Sequence, residues 1–217
     1  MDINFWQKRW AENQTGFHLS EVNPYIMRFW AELPVNSPAT VFVPLCGKTL
    51  DMLWLASQGN TVLGVECSPK AISEFFVEQG LTANKSRQKD FTLHHHAQLN
   101  LLEGDFFKLD SHILKDVTAV YDRAALVALP DQLRSQYVDL LITQLPEHVS
   151  ILLVTLEYQQ SVMQGPPFSV SQHEVHMLYE KAFNITLLHE RNIIDESPRF
   201  SQKGLDVLLE RVYKISR

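Results

Sequence analysis

A chain of 217 residues, 45% of them hydrophobic, is long enough to bury a central sheet covered on both faces. A net charge of −6 argues against a nucleic-acid groove, and the one basic cluster, Lys85-Ser-Arg-Gln-Lys89, reads as a solvated loop. Every apolar run is broken by Lys, Asp, Glu or Gln short of the ~20 residues a membrane span needs, and the N-terminus lacks an apolar signal core, so a cytoplasmic protein is expected.

In chain order, helices are expected over residues 3–11 and 24–33, the second with Asn23 as N-cap and Pro24 at the first helical position. Residues 40–44 form an apolar run rich in β-branched side chains and read as the first strand. That run meets Pro44 and Gly47 and gives way to a helix-period pattern over residues 49–58, with Leu50, Met52, Leu53 and Trp54 set against Asp51. Gly59 stops this helix. A second strand over residues 61–65 ends on a lone acid, Glu66. Ser68 and Pro69 then cap and open a helix to about residue 79, closed by Gly80. Strands at 99–102 and 117–121, a helix at 131–145 and a nearly all-apolar strand at 149–156 follow. Ser171-Gln-His-Glu174 has the form of a capping box opening a helix to about residue 182. Two last strands, 185–194 and 204–215, pair as an edge hairpin. The expected fold is α/β: a doubly wound, mostly parallel seven-stranded sheet with an antiparallel edge hairpin, in a single domain over residues 1–217.

Strand, glycine turn, helix, strand and terminal carboxylate make the 40–66 unit the skeleton of a nucleotide-type cofactor site. Glu66 lies nineteen positions beyond Gly47, close to the ~20 at which such folds place a ribose-binding acid. A P-loop needs another glycine five positions before Gly47, where Phe42 stands. A dinucleotide fingerprint fails too, because Gly47 is the only glycine in the turn. A cofactor with a ribose but without phosphates fits better. S-adenosylmethionine is the candidate, since Glu66 can accept from two ribose hydroxyls and no anion needs binding. On spacing alone, an ordinary βαβ unit whose acid happens to end a strand accounts for the pattern equally well.

No metal site is expected. Asp105, Asp110 and Asp122 are not spaced as a ligand set, and the adjacent His94, His95 and His96 cannot all face one ion in regular structure. Cys46 and Cys67 form no CxxC pair and read as reduced thiols. Arg123 follows an apolar strand at the carboxyl end of the sheet, where open α/β folds bind ligands. Its alternative is a surface pair with Asp122, worth ~0–1 kcal/mol.

The segments Pro44-Leu-Cys-Gly-Lys48, Gly64-Val-Glu66 and Tyr121-Asp-Arg-Ala-Ala-Leu-Val-Ala128 resemble the thiopurine S-methyltransferase family, especially its bacterial members. Phe5-Trp-Gln-Lys-Arg-Trp10, Thr15-Gly-Phe-His18, Gly165-Pro-Pro-Phe168 and Gly204-Leu-Asp206 extend the resemblance over essentially the whole chain, in the expected order. The resemblance implies a class I methyltransferase fold, Rossmann-like, with an N-terminal helical cover over S-adenosylmethionine. It implies methyl transfer to the sulfur of thiopurines and other aromatic or heterocyclic thiols, with selenium or tellurium species as further acceptors.

By the same resemblance, Trp6 and Trp10 lie against the cofactor, Leu45 meets its methionine part and Glu66 holds the ribose. Asp105 and Phe106 flank the adenine. Arg123 matches a position contacting cofactor and substrate, Arg199 a substrate-facing arginine, and Phe17 an aromatic that packs on the heterocycle. The 165–168 loop would border the acceptor pocket. Read without the resemblance, Trp6 and Trp10 share a helical face and could be core, and Asp105 could cap a turn. A heteroaromatic thiol ionises readily, so no dedicated base is expected. The implied partner is a small-molecule thiol, with no nucleic acid and no membrane, and the chain is expected to act as a monomer. A nicotinamide-dependent reductase, disfavoured by the single-glycine turn, and a non-catalytic adenosyl-ligand sensor remain as other readings.

Overall fold

Short polar side chains open the helices where the sequence places them. In the computed structural model, which describes residues 3–16 and 18–217, Asn23 caps α2 (Pro24–Phe29) by accepting from the Tyr25 N–H at 2.9 Å. Ser68 likewise accepts from the Ala71 N–H at 3.2 Å and opens α4 (Pro69–Glu78). Ser171 accepts from the Glu174 N–H at 3.1 Å at the start of α7 (Gln172–Tyr179). The reciprocal arm of the expected capping box is replaced, because the Glu174 carboxylate turns to Arg134 Nε at 2.7 Å. The remaining helices are α1 (Ile3–Ala11), α3 (Asp51–Ser57), α5 (Ser111–Leu114), α6 (Asp131–Gln144) and α8 (Pro198–Ser201).

The strands are β1 (Thr40–Val43), β2 (Thr61–Glu66), β3 (Asn84–Gln88), β4 (Phe91–His96), β5 (Leu99–Glu103), β6 (Ala119–Arg123), β7 (Ser150–Glu157), β8 (Asn184–Asn192) and β9 (Leu209–Ser216). They form one sheet in the order β3-β4-β5-β2-β1-β6-β7-β9-β8. The pairs from β5 through β2, β1 and β6 to β7 are parallel, and both edges are antiparallel. The class is as expected, but the described residues carry nine strands rather than seven.

The two extra strands are β3, which replaces the loop expected at residues 85–89, and β4, which follows it. Every residue of β3 is exposed, so the strand has no apolar alternation to read, and it is held by backbone pairing to β4. The last strand also begins later than expected, at Leu209, which leaves residues 193–208 as a long connection containing α8.

Alternation along β1 sends Val41 and Val43 to one face and Phe42 to the other. The Val41 face is covered by Tyr25, Ile26 and Phe29 of α2, Met52 and Leu55 of α3, and Ile72 and Phe75 of α4. On the Phe42 face lie Leu114, Tyr137, Leu141, Val175 and Tyr179 from α5, α6 and α7. β1 stands between β2 and β6, so successive crossovers leave it in opposite directions and open a crevice at the carboxyl ends of these strands.

Candidate active site

The crevice is shaped first by a sharp turn after β1. Leu45 and Gly47 both take the left-handed conformation, with φ of 46° and 53°. A Cβ on Gly47 would meet Trp10 Cζ2 at 3.0 Å, so the missing side chain lets α1 close on the turn. Trp10 is only 2% exposed.

This turn presents its N–H to the acid at the end of β2. Glu66 Oε2 accepts from the Gly47 N–H at 2.9 Å, and Oε1 accepts from the Ser68 N–H at 2.8 Å. Burial pushes the Glu66 carboxyl above its ordinary pKa, and the N–H bonds from Ser68 and Gly47 oppose that rise. The Cys67 N–H and the Cys67 thiol also donate to this carboxylate, so its orientation is fixed from the protein side. A first cavity opens on it, lined also by Trp6, Trp10, Leu45, His18 and Arg123.

At the end of β6, alternation separates two charges. Asp122 is fully buried, accepting from the Tyr137 hydroxyl at 2.7 Å and the Leu126 N–H at 3.1 Å, and burial pushes its pKa up to about 6. It is therefore not half of a surface pair. Its neighbour Arg123 turns the other way and lines the crevice.

A second cavity, of about 790 Å³, opens on the far side of Arg123 and shares Arg123, Ala124, Val127, Pro166 and Pro167 with the first. Six cationic side chains line it, namely Arg9, Arg28, Arg123, Arg191, Arg199 and Lys203, against two acids, Glu196 and Glu210. Arg199 comes from α8 and approaches Gly16 so closely that a side chain there would collide with its guanidinium. The 165–168 loop contributes Pro166 and Pro167 to both cavities.

Other expected site residues are placed differently. Phe17 lies outside the described residues. Asp105 caps a 3₁₀ turn, accepting from the Phe107 N–H at 3.0 Å, and its charge reaches Cys67 at the edge of the first cavity. The Phe106 ring is 3% exposed, stacks on Tyr137 at 4.7 Å between centroids and lies 6.3 Å from Phe42. It packs in the core and lines neither cavity.

Several lining residues were not among the site residues expected from the sequence. His18 lines the first cavity, where burial and then the nearby Lys48 push its pKa down, so the ring is neutral at pH 7. Tyr25 and Glu210 face one another in the second cavity across 185 positions of chain. Burial holds the Cys46 and Cys67 thiols well above the ordinary range, which leaves them protonated and unreactive. The three consecutive histidines turn to three different partners: His94 to Glu103 at 2.8 Å, His95 to Asn100 at 3.0 Å and His96 to the Thr82 carbonyl at 2.8 Å. Among the described residues no group of three or more His, Cys, Asp or Glu side chains could hold a metal, and no helix is long and apolar enough to cross a membrane.

A family model described as Thiopurine S-methyltransferase matches residues 1–217. Two proteins named thiopurine S-methyltransferase, from Pseudomonas fluorescens and Xanthomonas axonopodis pv. citri, are 48% and 47% identical. Those matches cover 99% and 100% of this chain, and the same shares of the relatives. Among solved structures the chain is similar to a Burkholderia thailandensis 1,6-didemethyltoxoflavin-N1-methyltransferase with bound S-adenosylhomocysteine. That match has a TM-score of 0.64 at 14% identity, over 99% of this chain and 87% of the other. A SAM-dependent methyltransferase from Anabaena variabilis matches with a TM-score of 0.65 at 12% identity, over 99% and 94%. At such identities the two structures show a shared fold: a parallel-cored sheet with antiparallel edges, the class I methyltransferase architecture.

Proposed function

The chain belongs to the thiopurine S-methyltransferase family, and on that premise we propose that S-adenosylmethionine lies in the Glu66 cavity, the thiol acceptor in the cationic one, and the methyl passes between them beside Arg123. The activity is S-adenosylmethionine-dependent methylation of thiopurine sulfur. The observation that carries the division of roles is that the two cavities share one wall, made by Arg123, Ala124, Val127, Pro166 and Pro167.

The residues of the first cavity fit the donor. Glu66 is the carboxylate in this cavity able to accept from ribose hydroxyls, a stronger donor class than the Cys67 thiol now on it, and its orientation is set before any ligand arrives. Trp6, Trp10 and Leu45 supply apolar and aromatic faces, which suit a methionine chain and a sulfonium cation. Asp105, close to Cys67, is the acid available to an adenine amino group, while the Phe106 ring stays in the core. When bound, S-adenosylmethionine supplies an electrophilic methyl group, and the chain's task is alignment and exclusion of water. Trp10 closing on Gly47 serves both.

The second cavity suits an acidic sulfur acceptor, one that arrives as a thiolate or gives up its proton as the methyl is transferred. Cations around it favour the charged form of an acidic group, and Arg123 stands where sulfur must approach. Arg199 lines the far wall, where it can hold the acceptor's ring or an anionic substituent. Neither the reductase nor the sensor reading gains support from the family match.

Arg123→Ala tests the arrangement. The expected result is a loss of kcat/KM of tenfold or more, about 1.4 kcal/mol, for a thiol bearing a carboxylate, and a clearly smaller loss for a neutral aromatic thiol. Equal losses across the pair, with unchanged folding, would move Arg123 out of the acceptor site.

A further inference from the structure

Charge in the acceptor cavity is lopsided, and the exception is informative. Glu210 lines that cavity from β9, accepting a hydrogen bond from the Tyr25 hydroxyl of α2. Its strand neighbour Arg211 points to the opposite face and is held in ion pairs with Glu157 and Glu190. Glu210 faces Arg123 of β6 and Arg191 of β8, with Glu196 and Tyr121 also within electrostatic reach. Arg191 is its direct partner across the β8–β9 register, yet the Arg191 guanidinium pairs with Glu196. The other acid of the cavity is therefore held in an ion pair, while Glu210 lines the cavity with the Tyr25 hydroxyl on it and Arg123 nearby.

The chemistry of a heterocyclic acceptor gives such a carboxylate a task. A thiopurine enters largely as a thione, with a ring N–H beside the C=S carbon. Methylating that sulfur leaves a cation unless the N–H proton departs. A cation would be strongly disfavoured among Arg28, Arg123, Arg191 and Arg199.

We propose that Glu210 is a catalytic residue for thione acceptors, taking the ring N–H proton as the neighbouring sulfur is methylated. The proposal rests on the acceptor-cavity reading above. The acceptor sulfur uses a lone pair to form the new C–S bond, and the methyl–sulfonium bond breaks with its pair remaining on the donor sulfur. The N–H pair becomes the ring C=N bond, the former C=S π pair returns to sulfur as a lone pair, and the proton passes to Glu210 and then to water. Donor and acceptor both leave neutral. Burial raises the Glu210 carboxyl above its ordinary pKa, opposed by Tyr25, Arg123 and Arg191, which brings it nearer to the range where a carboxylate is an effective base at neutral pH. For an aryl thiol that arrives already ionised and carries no ring N–H, Glu210 has no proton to take.

The experiment compares two acceptors across two variants. Glu210→Gln keeps the size and an acceptor for Tyr25 while removing the base. It is expected to lose at least tenfold more kcat/KM with 6-mercaptopurine than with 4-nitrothiophenol, and to lose the acid limb of the pH profile with 6-mercaptopurine. Tyr25→Phe removes the bond that holds the carboxyl down, so that acid limb should move to higher pH with the fold intact by circular dichroism. Equal losses with both acceptors in Glu210→Gln, or a Tyr25→Phe profile identical to that of the unmutated enzyme, would overturn the proposal. An unmutated enzyme that methylates neither acceptor would overturn the acceptor-cavity reading itself, and Glu210 with it.

Discussion

Glu66 acquires its orientation from donors on Gly47, Cys67 and Ser68, the first supplied by a left-handed turn where a side chain would crowd Trp10. Its role predicts a simple cost. Glu66→Ala should weaken S-adenosylmethionine binding by about 1–3 kcal/mol, the range for hydrogen bonds to a charged acceptor. Isothermal titration calorimetry checks this, and an unchanged affinity would take Glu66 out of the donor site. The residue was legible because strand, turn, helix and strand put a fixed length between Gly47 and the acid. Arg123 was legible for a similar reason, and strand alternation adds that Asp122 faces Tyr137 rather than its neighbour. Phe106 shows the limit: an aromatic after a strand reads equally as ligand face or core, and its packing on Phe42 and Tyr137 is visible only in the fold. Tyr25 and Glu210 lay beyond reach, since no local pattern ties two positions so far apart in the chain.

At the scale of elements, caps and glycines announced α2, α4 and α7 because their signals act within one helical turn. The β3–β4 hairpin had no such signal. Its outer strand buries nothing, so the pairing that makes it a strand leaves no trace in hydropathy. In the proposed arrangement, α1 is the element that covers the donor cavity, through Trp6 and Trp10. With nine residues it is too short to be stable alone, and it is held by Trp10 and by bonds to α4 and the turn before it. Gln7 Nε2 donates to the Cys67 carbonyl at 3.1 Å, and Lys70 Nζ donates to the Ala11 carbonyl at 3.3 Å and to Asn13 Oδ1 at 2.7 Å. Lys70→Met removes the Lys70 bonds while leaving the cavity lining untouched. If α1 covers the cofactor, losing about 1 kcal/mol of latch should speed S-adenosylmethionine release roughly fivefold in stopped-flow measurements. A release rate equal to that of the unmutated enzyme would mean that the cofactor leaves by another route.

For the molecule as a whole, the parallel core was readable from the alternation of strands and helices, and the place of the crevice follows from β1 standing between β2 and β6. The acceptor cavity was not readable in that way. It is assembled from α1 and the residues after it, α2, the ends of β6 and β7, the 165–168 loop, β8, the 193–208 connection and β9, and its cationic character appears only when these segments meet. An overall charge of −6 therefore coexists with a local cluster of arginines. The central claim is that this assembly moves a methyl group from S-adenosylmethionine to a thiopurine sulfur. Incubation with S-adenosylmethionine carrying a deuterated methyl group and 6-mercaptopurine, followed by mass spectrometry and NMR of the product, tests it most directly. The account predicts the labelled methyl on sulfur, with S-adenosylhomocysteine released in equal amount. Label on a ring nitrogen, or no transfer to 6-mercaptopurine or to any of a panel of aromatic thiols, would contradict it.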